Sequence, residues 1–300
     1  MGDRVSTLVR ARRWRRCATA AVCAFAVAGL GGGCTAATSR GGEAAGLAQG
    51  IVWQPDAAHM NPHGEWDALG VRDLLVQWTA VDDEALAPGA GLPTVQRLPD
   101  WKRIGREPWA HDVIVGLAGR FDESQARGNA ARLVKQSLAL AAVKWPVHVA
   151  GWYFPVEVDP TWRDAASLAP LLDRLPRPLW ISVYDNSNVG GAALAAWLDR
   201  WLPRDVGVLF QDGCGDYVRA PAVARAYADA LAERLGPERV RIIAEAFRGL
   251  PGAGVRAASA SELRAQLQAY RGYHVYLFDG PHYVSSALVR EITEAKKSGY

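Results

Sequence analysis

The chain has 300 residues, 50% of them hydrophobic, with 34 basic and 31 acidic side chains and a net charge of +3. All of that positive excess lies in the first sixteen residues, so the remainder offers no electrostatic case for nucleic-acid binding. Of the four cysteines, two fall at positions 17 and 23. That leaves too few for a disulfide framework or a cysteine metal site.

Arg4, Arg10, Arg12, Arg13, Arg15 and Arg16 precede a short apolar run at 18–30, and Gly31, Gly32 and Gly33 then lead into Cys34. This order reads as an export signal over residues 1–33, with an apolar run too short to span a bilayer comfortably. Small residues before a cysteine resemble a bacterial lipoprotein signal, in which the chain is cut before Cys34 and Cys34 takes a lipid. Leu30 lies four places before the cysteine, whereas such signals usually carry it three places before. Ordinary cleavage and an uncleaved anchor remain as alternatives. Without residues 1–33, 28 basic and 30 acidic side chains remain, a net of −2. Residues 34–49, rich in Ala, Gly and Ser, read as a flexible tether. The expected product is an exported monomer in the periplasm or at the outer membrane, touching the membrane only through a lipid anchor.

From residue 50 a regular alternation begins. Apolar, β-branched runs of strand length occur at 50–54, 73–79, 112–118, 147–156, 178–184, 205–211, 239–245 and 273–279, as expected of parallel strands buried on both faces. Helical patterns fall at 122–143, 164–174, 190–202, 219–235, 260–270 and 284–297, with Asp122 and Ser259 as N-caps. Residues 61–70 allow a short helix at most, and 80–110 is a long, Pro-rich stretch with little periodicity. Eight strands with intervening helices in about 265 residues predict an α/β fold, a (β/α)8 TIM barrel over 50–300. An open doubly wound sheet is the alternative. No glycine-rich phosphate loop follows an early strand.

In such barrels the chemistry sits at the C-terminal ends of the strands. Those ends carry Trp53 and Gln54; Gln77 and Trp78; Trp152, Tyr153 and Glu157; Tyr184 and Asp185; Gln211 and Asp212; Glu245; and Asp279. Carboxylates crowded on one rim repel and desolvate one another, which separates their pKa values. Glycoside cleavage needs such a pair, one protonated and one ionised. Glu157 and Glu245 are the leading pair, facing across the ring from the fourth and seventh strands. The large retaining-glycosidase clan with this fold places its acid/base after strand four and its nucleophile after strand seven, and these residues look like those positions. Val156 stands where that clan usually has Asn. Asp212 is a third catalytic candidate, tuning or replacing one of the pair.

GWYFPVEVD (151–159), ISVYDN (181–186), FQDGCG (210–215) and the pair GIVWQP (50–55) and LLVQWT (74–79) resemble an uncharacterised bacterial glycoside-hydrolase-like family, the domain of unknown function numbered forty-four thirty-four. The resemblance spans about 50–290 and implies a barrel with carbohydrate chemistry. The short first helix departs from it. Eleven of the twelve tryptophans lie in 53–201. Flat aromatic faces suit sugar rings while amides and carboxylates read hydroxyls, so Trp53, Trp78, Trp152 and Tyr153 are expected as platforms. Gln54, Gln77, Tyr184, Asp185, Gln211 and Asp279 are expected as polar ligands. Trp145, Trp162, Trp197 and Trp201 read as packing.

His59, His63, His111, His148, His274 and His282 show no metal-ligand spacing along the chain, and Cys214 has no evident histidine base. Neither metal nor organic cofactor is expected. The reading is an exported glycoside hydrolase acting with retention on a polysaccharide such as an exopolysaccharide. A non-catalytic polysaccharide-binding barrel that assists secretion is the alternative, favoured by Val156. A phosphodiesterase would need a metal or phosphate site.

Overall fold

The computed structural model describes residues 46–252 and 254–297. The expected signal segment, Cys34 and the tether up to residue 45 lie outside the described residues. Gly46–Gln49, the described end of that segment, docks on the barrel: Ala48 is buried, and the Gln49 side chain accepts from the Val275 amide at 2.9 Å.

Eight parallel strands close into a barrel: β1 (Gly50–Trp53), β2 (Asp73–Val76), β3 (Asp112–Gly116), β4 (Val149–Val158), β5 (Leu179–Val183), β6 (Val206–Gln211), β7 (Val240–Glu245) and β8 (Val275–Phe278). Each pairs with its sequence neighbours, and β1 closes on β8 with Gly50 opposite Tyr276. The (β/α)8 barrel expected from the eight apolar runs is therefore the fold. Asp122 caps Glu123–Gly128 by accepting from the Gln125 amide, and Ser259 with Glu262 forms a capping box on Ala260–Ala269. Among the described residues no helix is long and apolar enough to cross a membrane.

Two apolar layers follow from the period of two along each strand. Val52, Leu75, Ile114, Tyr153, Trp180, Leu209, Ile243 and Tyr276 fill the interior. Their neighbours, such as Ile51, Trp53, Leu74, Phe154, Ile181 and Val208, face outward against the helices. The interior rings fit because glycines face them. A Cβ on Gly50 would lie 2.1 Å from the Tyr276 ring, and one on Gly207 2.3 Å from Trp180. At the N-terminal end, the Arg241 guanidinium lies 4.0 Å over Trp180 and donates to the Tyr276 hydroxyl at 2.6 Å, plugging the floor.

The first two connections carry little helix. Residues 61–70 hold one 3-10 turn, Trp66–Leu69. The stretch 80–110 holds short strands at Ala80–Val81 and Glu84–Ala85, one helical turn at Trp101–Ile104 and a 3-10 turn at Pro108–Ala110. Indoles cover the strands there instead. Trp66 meets Trp109 edge-on at 4.8 Å, Trp101 meets Trp145 at 5.1 Å, and Trp53 meets Trp101 at 5.6 Å. The tryptophan density thus belongs in large part to a wall that stands in for missing helices.

Gly207→Ala should destabilise the fold by about 1–3 kcal/mol through overpacking against Trp180, read as a lower denaturant midpoint at unchanged m-value. An unchanged midpoint would show that the ring has room to move.

Candidate active site

The same alternation that builds the core sorts the rim. At the C-terminal ends, Gln54, Gln77, Glu157, Tyr184, Gln211, Glu245 and Phe278 fall on the inward register. Trp53, Trp78, Asp185, Asp212 and Asp279 fall on the outward one. The sequence-predicted residues are therefore divided between two faces only one residue apart.

Glu157 reaches the mouth because β4 is long and its pairing with β5 slips between Phe154 and Val158. Val156 points into the outer apolar layer and is fully buried, so the side chain before Glu157 does not reach the mouth. Gln211, inward on β6, donates its amide to Glu157 Oε2 at 2.7 Å. The Glu157 backbone amide donates to Glu123 Oε2 at 3.2 Å.

Glu245 ends β7, buried at 4% exposure. The Gly215 amide donates to its Oε2 at 2.6 Å, an approach only glycine permits, since a Cβ there would lie 2.5 Å from the Phe247 ring. Arg248 donates to the Glu245 carbonyl rather than to its carboxylate.

Asp212 lies behind Glu245, wholly buried and turned toward the helix Ala260–Ala269. It accepts from the amides of Cys214 at 3.1 Å and Glu245 at 3.2 Å, from the Tyr270 hydroxyl at 2.8 Å, and from the Gln266 side-chain amide. It faces away from the mouth, so of the two places the sequence offered it, tuning one of the pair or replacing one, the geometry matches the first. It acts on Glu245 from behind. Burial pushes both carboxyls upward, and the charge of Asp212 pushes Glu245 further, well above the usual glutamate range. Four donors hold the charge on Asp212, so of the two carboxyls Glu245 is the one held protonated to higher pH.

Tyr184, the residue after β5, has its hydroxyl pushed up by burial and by the nearby Glu245. Arg219, which sequence reasoning did not single out, lies 5.7 Å over the Tyr184 ring and 4.9 Å over Tyr227. It donates to the carbonyls of Asp212 at 3.1 Å and of Asp185, tying the β5 and β6 loops together. Cys214 is buried, and burial together with Asp212 pushes its thiol up, leaving it a poor nucleophile.

Several expected ligands stand elsewhere. Trp53 is fully buried in the outer wall, its indole donating to the His59 carbonyl at 2.8 Å. Trp152 packs outward near the start of the barrel. Tyr153 fills the interior and donates to Ser182 at 2.8 Å. Trp78 is buried at 6% exposure beside Phe121. Asp185 accepts from the Val189 amide and the Tyr227 hydroxyl, holding its own loop. Asp279 accepts from the Gln54 amide at 2.8 Å and from His282 Nδ1 at 2.7 Å. In each case except Tyr153, the outward register removes the side chain from the mouth.

The aromatic faces near the mouth come from β7 and β8 instead. Phe278 is inward, and Phe247 lies 6.4 Å from it and 5.4 Å from Tyr283. Phe278 was legible as the inward step after Tyr276. Phe247 opens the short strand Phe247–Gly249 and Tyr283 ends the helical turn Gly280–Tyr283, elements too short to carry a periodic signal. Beside them, His282 bridges Asp279 and Asp56. Burial opposes charge on its ring, but the bonds to both carboxylates outweigh this and raise it to about 10.

No family model and no curated protein matches the chain. Among solved structures, the chain is similar to a candidate alpha-L-fucosidase of Bacteroides thetaiotaomicron, at 15% identity and a TM-score of 0.57, covering 89% of this chain and 98% of that chain. At that identity the likeness shows the fold alone, a (β/α)8 barrel.

Above about pH 4.3, the ordinary glutamate value, the unfolded chain releases the Glu245 proton while the folded chain keeps it, so the buried carboxyl costs stability that grows with pH. Glu245→Gln removes that cost. Its Tm should exceed the wild-type value at about pH 8 by at least about 2 °C, the shift that roughly 1 kcal/mol gives in a domain of this size, with a smaller difference near pH 4. Equal differences at both pH values would place the proton elsewhere.

Proposed function

We propose that this barrel hydrolyses a glycosidic bond in an oligosaccharide or polysaccharide, with Glu157 and Glu245 as its two carboxyls. The observation that carries the reading is their shared inward register at the mouth, from β4 and β7, with Gln211 bonded to Glu157 and Tyr184 beside Glu245. Cleavage requires a proton donor and a second carboxyl across the scissile bond.

The environments favour roles opposite to those suggested by strand position. Glu245 holds the proton. Its Oε2 is occupied by the Gly215 amide, so the proton sits on Oε1 and passes to the leaving glycosidic oxygen. Glu157, oriented by Gln211, attacks the anomeric carbon as the bond to the leaving group breaks. Glu245, now ionised, then takes a proton from the water that hydrolyses the glycosyl–Glu157 bond, so configuration is retained. Gln54, Gln77 and Tyr184 meet sugar hydroxyls, and Phe278, Phe247 and Tyr283 offer apolar ring faces. Export through the arginine-rich segment and anchoring at Cys34 would bring the site to polysaccharide outside the cytoplasm.

The test is turnover of a polysaccharide panel by the protein and its variants. Glu157→Gln and Glu245→Gln should each lower kcat by about 10²–10⁴-fold, with the product released in the configuration of the substrate. Cleavage of no glycan, or turnover that survives both substitutions, overturns the reading. Glycan binding that persists in both variants without product would make this a binding barrel.

A further inference from the structure

A second cluster sits on the other side of the mouth, where β1 and β8 meet. Asp56 and His59 lie on the loop after β1. His282 lies in the single helical turn Gly280–Tyr283 that follows β8. One ligating atom from each of the three lies within 4.8 Å of the others. His282 Nε2 is 3.1 Å from Asp56 Oδ2, and His59 Nδ1 is 3.0 Å from Asp56 Oδ1. The two imidazoles lie 4.0 Å apart between centroids. Each side chain keeps 24–34% of its surface exposed, so the cluster opens to solvent on one side.

Asp279 stands behind it at 1% exposure. Its Oδ1 accepts from the backbone amide of His282 at 2.9 Å and lies 2.7 Å from Nδ1, and its Oδ2 accepts from the Gln54 amide. A carboxylate that takes Nδ1–H fixes the ring and turns Nε2 forward, which is the outer-sphere arrangement of metal-bound histidines.

We propose that Asp56, His59 and His282 bind a divalent transition-metal ion of the zinc type, with Asp279 as the carboxylate that orients His282. Two imidazole nitrogens and one carboxylate oxygen suit zinc, whereas calcium and magnesium take oxygen donors. With both imidazoles neutral, Asp56 and Asp279 bring a charge of −2 that a divalent ion balances. Donors sharing one zinc at about 2.0–2.2 Å sit roughly 3.3 Å apart, close to the 3.1 and 3.0 Å between Asp56 and the two imidazoles, and the three ligating atoms all lie within 4.8 Å of one another. Binding displaces the proton between His282 Nε2 and Asp56 into solvent and leaves a coordination position facing the open side. The ion would clamp the β1 and β8 loops beside Gln54. The site departs from the sequence expectation of no metal, because its ligands come from opposite ends of the chain. It stands independently of the roles of Glu157 and Glu245.

The test is calorimetric titration of the full chain, stripped with a chelator, with zinc chloride, together with metal content after dialysis. One zinc per chain is expected. His59→Ala, on an exposed loop, should weaken binding at least 10-fold, and Asp279→Asn by about 10–100-fold. Cobalt in place of zinc should give visible absorption that His59→Ala abolishes. No stoichiometric uptake, or uptake and cobalt absorption unchanged in both His59→Ala and Asp56→Asn, overturns the proposal. Should His282→Ala not fold, those two variants carry the test.

Discussion

A strand in a closed barrel has two faces and a period of two, so one step along the chain carries a side chain from the mouth to the wall. Everything proposed for this protein depends on that constraint. Gln211 meets Glu157 while Asp212, its neighbour, meets Gln266 on the helix Ala260–Ala269. Phe278 faces the interior while Asp279 anchors His282. The polar residues at each strand end are thus divided between those that can touch a ligand and those that hold the first group in place.

The segment from Gln211 to Arg219 uses both faces. Gln211 orients one glutamate, the Gly215 amide holds the other, and Asp212 sits behind Glu245 with four donors of its own. A buried, fully bonded carboxylate is a fixed negative charge in a medium that screens it little. Placed behind a second carboxyl, it keeps that carboxyl protonated. Arg219 then bonds the loop to β5 through the Asp185 carbonyl, so the elements carrying Glu157, Tyr184 and Glu245 are held as one frame.

The barrel wall is uneven, and its chemistry follows. On the β4–β8 side, helices cover the strands and the connecting loops are free to build the mouth. On the β1–β3 side, Trp53, Trp66, Trp101, Trp109 and Trp145 do the covering. Aromatic residues committed to that wall are turned away from the mouth, and the proposed sugar platform therefore rests on Phe247, Phe278 and Tyr283.

The amino-acid sequence by itself determined the barrel. Eight apolar runs of strand length, spaced by helical patterns, can bury their two faces in few ways, and the residues at their ends named Glu157, Glu245 and Gln211 before any contact was known. It could not say which way each end pointed. Trp53 and Gln54 read as equal candidates, as did Gln211 and Asp212, because inward and outward are set by closure of the sheet and by where helices are missing. Nor could spacing join Asp56 and His59 to His282, since 226 positions separate Asp56 from His282 and only the meeting of β1 with β8 brings them together. Only the tertiary structure decided which carboxyl holds the proton, because that depends on what is buried behind it.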